Sequence, residues 1–233
     1  MNRLRIDIWS DIACPWCYVG KRRLEAALAG FEHQDSVDVV WRSFELDPDA
    51  PAEHDASQSY AERLARKYRR TVGEAETMIA RMTEVGRAEG LELRFDRVKR
   101  VNTFEAHRLI HLAHEQGKQD VVKERLLRAY MTEGEVISER DVLVRLAGDC
   151  GLESEAVRTA LRGEAFAQDV RADEREAREL GITGVPFFVF AERYAASGAQ
   201  PPEVLANALE QAWRDVNAAT SFAEGAACGP DGC

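Results

Sequence analysis

Hydrophobic and polar positions change their spacing several times along this chain of 233 residues. Leu4-Arg5-Ile6-Asp7-Ile8-Trp9 is a strand-like run, and Tyr18 to Ala29 then reads as a helix. Val37-Asp38-Val39-Val40-Trp41 predicts a second strand with Val37, Val39 and Trp41 on one face. From about residue 51 to 181 the reading turns helical. Ala106, Leu109, Ile110 and Ala113 follow i, i+3, i+4 and i+7, as do Leu143, Leu146, Ala147 and Cys150. Ser138-x-x-Asp141 and Ser154 are candidate caps for two of these helices. At Gly184-Val185-Pro186-Phe187-Phe188-Val189-Phe190 the pattern becomes a short apolar run, too short for a typical helix and opened by a proline that suits a strand start. Arg193 to Ser197 can pair with it as a hairpin. A closing helix begins at Pro201 or Pro202, with Leu205, Ala208, Leu209, Ala212 and Val216 on one stripe.

Without the helical block, the order is strand, helix, strand, hairpin, helix, which is a thioredoxin-like layout. The expected fold class is therefore α/β, a thioredoxin-like fold with a large inserted all-α domain. Residues 1–50 and 181–217 form the discontinuous thioredoxin-like domain, and residues 51–180 form the helical insertion. Residues 218–233, rich in Gly and Ala, are read as a flexible tail carrying a C-x4-C pair.

Apolar residues make up 45% and charged residues 31%, ordinary values for a soluble globular protein. The net charge of −10 argues against a nucleic-acid or anionic membrane partner. No apolar run approaches the roughly 18 residues that span a bilayer. Met1-Asn2-Arg3-Leu4-Arg5 enters the first strand with no apolar signal segment, so a cytoplasmic location is expected. There a close cysteine pair is more often catalytic or sensory than a staple, and five cysteines, an odd number, do not suit a disulfide framework.

The pair in question is Cys14-Pro15-Trp16-Cys17, between the first strand and the first helix. A sulfur at a helix N-terminus meets unpaired backbone N–H groups and the positive end of the dipole, which favour the thiolate. The second sulfur lies three residues on, near enough to close a disulfide. Cys14 is thus the candidate nucleophile and Cys17 the candidate resolving thiol, rather than half of a zinc site, which needs two further ligands. Pro15 stiffens the turn. Trp16 brings no charge to the Cys14 anion, so a moderate depression of its pKa is expected. Asp11 either caps the helix or manages the proton of Cys17. Asp7 fits an outward-facing polar position. Cys150 falls on an apolar stripe and is expected buried and inert. His107, His111 and His114 share one helical face; no metal is expected there, and His107 either faces the cleft between domains or packs. Cys228 and Cys233 flank Gly229-Pro230-Asp231-Gly232, turn chemistry that can bring two sulfurs together as an auxiliary redox pair, an occasional metal or oxidant trap, or a functionless tail.

Trp9-Ser10-Asp11-Ile12-Ala13-Cys14-Pro15-Trp16-Cys17-Tyr18-Val19-Gly20 resembles the active-site signature of the DsbA-like thioredoxin superfamily. Phe44-Glu45-Leu46, Asn102-Thr103-x-x-Ala106-His107, Gly184-Val185-Pro186 and Ser197-Gly198-Ala199-Gln200 resemble landmarks of its FrnE-type branch. The resemblance implies protein disulfide oxidoreductase or isomerase activity. It also implies a cis Val185–Pro186 bond facing the cysteines, and pairing of a substrate segment with the backbone beside that proline. Pro186 thereby joins the catalytic candidates, and Pro15, Trp16, Val185 and His107 the substrate-binding ones. Periplasmic relatives carry signal peptides and often a His between their cysteines; this chain has Pro15 and Trp16 between its own, and no signal peptide is expected.

The expected partners are protein thiols and disulfides and a cellular reductant or oxidant, with no cofactor. Two other readings are a glutathione transferase kappa or hydroxychromene-carboxylate isomerase-like enzyme, whose group generally lacks the second cysteine, and a redox-gated, chaperone-like binding module.

Overall fold

A computed structural model of the chain describes residues 3–54 and 56–225, so Cys228 and Cys233 lie outside the described residues. Alternation along β1 (Leu4–Ser10) sends Leu4, Ile6 and Ile8 to one face and Arg5, Asp7 and Trp9 to the other. Helix α1 (Pro15–Ala29) supplies the crossover that parallel pairing with β2 (Val37–Ser43) requires, and the register runs from Leu4 opposite Val37 to Ser10 opposite Ser43.

After β2 come α2 (Tyr60–Tyr68), α3 (Val72–Ala88), α4 (Phe104–Glu115), α5 (Gln119–Arg128), α6 (Arg140–Asp149), α7 (Ser154–Arg162) and α8 (Ala167–Glu179). The chain then returns to the sheet as β3 (Phe187–Phe190) and β4 (Tyr194–Ser197), antiparallel to β1 and to each other respectively. Helix α9 (Pro202–Gly225) follows, extending past residue 217, where the tail was expected to start. The strand order is β2-β1-β3-β4. No helix of the described residues is long and apolar enough to cross a membrane.

Ile6 pairs with Phe190 and Ile8 with Phe188, giving one sheet face a row of fully buried side chains. This row joins Leu24 of α1, Leu205 and Leu209 of α9, and Leu109, Leu126 and Leu143 of the helical block in one apolar core. On the opposite face Trp9 packs with Ala177 of α8 and with Ile182. Trp9 Nε1 donates to the Asp173 carbonyl at 2.9 Å. The Asp173 carboxylate accepts from Arg42 Nη1 and from the Ser43 N–H, both at 2.8 Å, which ties α8 to β2.

Several local expectations are corrected. Ser138 caps nothing, because its hydroxyl donates to the Ala52 carbonyl, and α6 follows Glu139 without a side-chain cap. The cap of α7 is Glu153, one residue before Ser154, accepting from the N–H groups of Glu155 and Ala156. Complete capping boxes occur instead at Ser59 with Glu62 and Thr71 with Glu74. Cys150 ends α6 half-buried, 3.6 Å from the Val121 carbonyl, rather than deep in its stripe. Asp7 is buried and holds Arg42 at 2.7 Å and Arg5 at 2.8 Å, not turned outward to solvent.

Candidate functional site

Cys14 is the N-cap of α1 in extended backbone (φ −99°, ψ 111°), with Pro15 in the first turn, where a missing N–H costs nothing. No side chain caps the helix, so its N–H groups remain available to a Cys14 thiolate. Cys14 and Cys17 are both free thiols. Cys14 is 5% exposed and opens onto a cleft of about 1490 Å³, while Cys17, one turn on, is fully buried and does not line it.

The Val185–Pro186 bond is cis, and the Cys14 thiol lies 3.5 Å from the Val185 carbonyl. Gly20 of α1 faces the proline so closely that an added Cβ would sit 2.9 Å from Pro186 Cγ. Trp16 is 44% exposed beside the cysteines on the cleft wall.

The two thiols are polarised in opposite directions. A hydrogen bond from the Cys17 thiol, aided by the N–H groups of Cys17 and Trp16, holds the Cys14 pKa below its ordinary value although burial opposes it. Burial pushes Cys17 well up, and the neighbouring Cys14 adds to this. Of the two thiols Cys14 therefore ionises first.

Asp11 is buried and does not cap α1, contrary to the first of its two sequence readings. Its carboxylate accepts from the N–H of Leu46 at 2.8 Å and of Ala13 at 3.2 Å. Burial alone would raise its pKa, but His107 and those two N–H groups outweigh it and keep Asp11 ionised. His107 is only 1% exposed and does not line the cleft, so direct contact with a substrate is ruled out by its burial. Its Nε2 lies 3.4 Å from Asp11 Oδ1, and burial lowers its pKa although Asp11 opposes the shift. His111 turns to Ser43 and Asp173, and His114 is exposed. Among the described residues no three His, Cys, Asp or Glu side chains gather as metal ligands.

Sequence reasoning missed Lys123. This α5 lysine is fully buried, its Nζ has no hydrogen-bond partner, and it lies 5.5 Å from the ring centre of Trp41. Burial pushes its pKa down to about 8, while Cys17, Asp11 and Cys14 pull it back up. One signal was available: Gln119, Lys123 and Leu127 recur at i, i+4 and i+8, and all three are buried.

The wider comparison agrees with this arrangement. Residues 5–210 match the model of the DSBA-like thioredoxin domain. The chain belongs to that family. Within the family's fold, a probable DsbA oxidoreductase from Streptomyces coelicolor is 44% identical, covers 99% of this chain and 98% of its own, and superposes with a TM-score of 0.84. Uncharacterized protein YwbO of Bacillus subtilis is 30% identical over 196 residues, 81% of this chain and 88% of its own length. A 2-hydroxychromene-2-carboxylate isomerase shares the fold (14% identity, TM-score 0.67, 93% of this chain and 98% of its own). The segments likened above to FrnE-type landmarks lie around Asp11 and the cleft. Leu46 donates to Asp11, Asn102 Nδ2 lies 3.3 Å from Glu45 Oε1, and Thr103 lines the cleft.

Proposed function

We propose that the protein is a thiol–disulfide oxidoreductase acting on cysteines of other proteins, with Cys14 as nucleophile and Cys17 as resolving thiol. The observation that carries this reading is the asymmetry of the pair: an acidified Cys14 opens onto a wide cleft, and a Cys17 held as thiol lies buried behind it.

In the reductive direction the Cys14 thiolate attacks one sulfur of a client disulfide. The new S–S bond forms as the client's other sulfur leaves as a thiolate. Cys17 then attacks the Cys14 sulfur, releasing the second client thiolate, and the protons of the two protein thiols end on the two client thiols. Two electrons pass to the client, and a cellular dithiol restores the pair. The same steps reversed oxidise a client. The Val185 main chain, beside Cys14, receives the client's extended backbone, and Pro186 holds that segment against the sulfur.

Insulin-reduction kinetics with trapping of covalent adducts test the reading. Cys14→Ser removes the activity, and Cys17→Ser accumulates a mixed disulfide through Cys14. Wild-type rates in Cys14→Ser refute it.

A further inference from the structure

The protein carries a net charge of −10, yet Arg63, Arg66, Lys67, Arg81 and Arg100 line the cleft onto which Cys14 opens. Between Tyr60 and Thr71 stand Arg63, Arg66, Lys67, Arg69 and Arg70 against the single carboxylate of Glu62, which is committed to its capping box. Arg66 and Lys67 of α2 and Arg81 of α3 line the cleft, are exposed, and have no ion pair or hydrogen bond among the described residues. The carboxylates that line it are all engaged: Asp11 by backbone N–H groups, Asp47 by Arg100 and Glu84 by Arg87. The floor is apolar, built from Tyr60, Met82, Phe95, Val101 and Tyr130. Its volume of about 1490 Å³ exceeds the roughly 300–1,000 Å³ of a small-molecule pocket.

From this juxtaposition we infer that the cleft takes an extended client segment in which apolar residues flank the reactive cysteine and carboxylates stand within a few residues of it. The inference rests on the redox reading above and names the client chemistry for that site. Apolar side chains fill the floor while the carboxylates meet Arg66, Lys67 and Arg81. The three free cations attract an acidic segment and repel a basic one, and salt screens both effects because the cations are exposed.

Two disulfide-bearing peptides with identical apolar positions, one with Glu and the other with Lys around the cysteine, test this with the full chain. The ratio of their kcat/KM values is expected to favour the Glu peptide about tenfold at low ionic strength and to approach one in about 0.5 M salt, where the screening length is only a few ångströms. Arg66→Glu/Lys67→Glu/Arg81→Glu is expected to bring the low-salt ratio to one or below, and Arg214→Glu on α9 is expected to leave it unchanged. Equal values for the two peptides, or a ratio indifferent to the triple substitution, overturn the inference. A small anionic disulfide without apolar residues that outperforms the Glu peptide overturns the segment as occupant. The neutral bis(2-hydroxyethyl) disulfide separates the levels. Its turnover beside a flat response to peptide charge sinks this inference alone, whereas no turnover of any of these disulfides sinks the redox function and the inference with it.

Discussion

Replacing Lys123 with Met keeps length and approximate volume while removing the buried ammonium group beneath the cysteines. A lysine brought from 10.5 to about 8 by burial destabilises the folded protein by about 3 kcal/mol wherever it is protonated. The sign follows from proton counting. Between about pH 8 and pH 10.5 the unfolded chain binds the proton and the folded one does not, so stability attributable to this group rises with pH in that window. Below about 8 the whole cost is present. Lys123→Met is therefore expected to be more stable than wild type by up to about 3 kcal/mol at pH 7, with a gap that closes towards pH 10.

The same substitution removes a cation that supports the Cys14 anion. The ammonium group is electrostatically coupled to both thiols, so its loss is expected to raise the ionisation midpoint of Cys14. Urea melts of the reduced proteins at pH 7 and 9.5, with iodoacetamide alkylation rates across pH, measure both effects. A variant less stable than wild type at pH 7, a gap indifferent to pH, or an unchanged alkylation midpoint refutes the reasoning.

Gly20→Ala drives a methyl to within 2.9 Å of Pro186 and 3.3 Å of the Phe188 ring, so a loss of about 1–3 kcal/mol in urea melts and several-fold slower insulin reduction are expected despite the better helix former. Asp173→Asn leaves Arg42 with one charged partner fewer, Asp7 remaining, and is expected to cost about 1.5–3 kcal/mol by the same melts. Burial opposes ionisation of Asp173, but His111, the Ser43 N–H and Arg42 prevail, so the stability it brings is present above the ordinary carboxylate pKa and fades as pH falls through its lower folded value. In the Asn variant that acid-side loss should be absent.

The sheet and its flanking helices were legible because their signals are local. The apolar run at Phe187–Phe190, the proline before it and the stripe of α9 each speak within ten residues or so. The position of Cys14 at a helix start was legible for the same reason. The cap reading of Asp11 failed because its partner Leu46 is 35 residues away, and a helix cap is the nearest use for an acid placed there. Lys123 escaped because lysines are rarely buried without a partner, and only the packing of α5 under α1 and β2 places it by the cysteines. The Ser138 cap failed against a competing long-range acceptor, Ala52, while the boxes at Ser59 and Thr71 carry the very pattern sought elsewhere.

The unbroken apolar core has a consequence for cooperativity. Leu109, Leu126 and Leu143 of the helical block share it with Ile6, Ile8 and Phe188 of the sheet, so neither part can melt without uncovering the other. Calorimetry should show one transition rather than two, and residues 51–180 expressed alone should expose a greasy face and fail to fold. On that expectation, any surface of the helical block that grips a client loses its shape in the same step that separates Cys14 from its cleft.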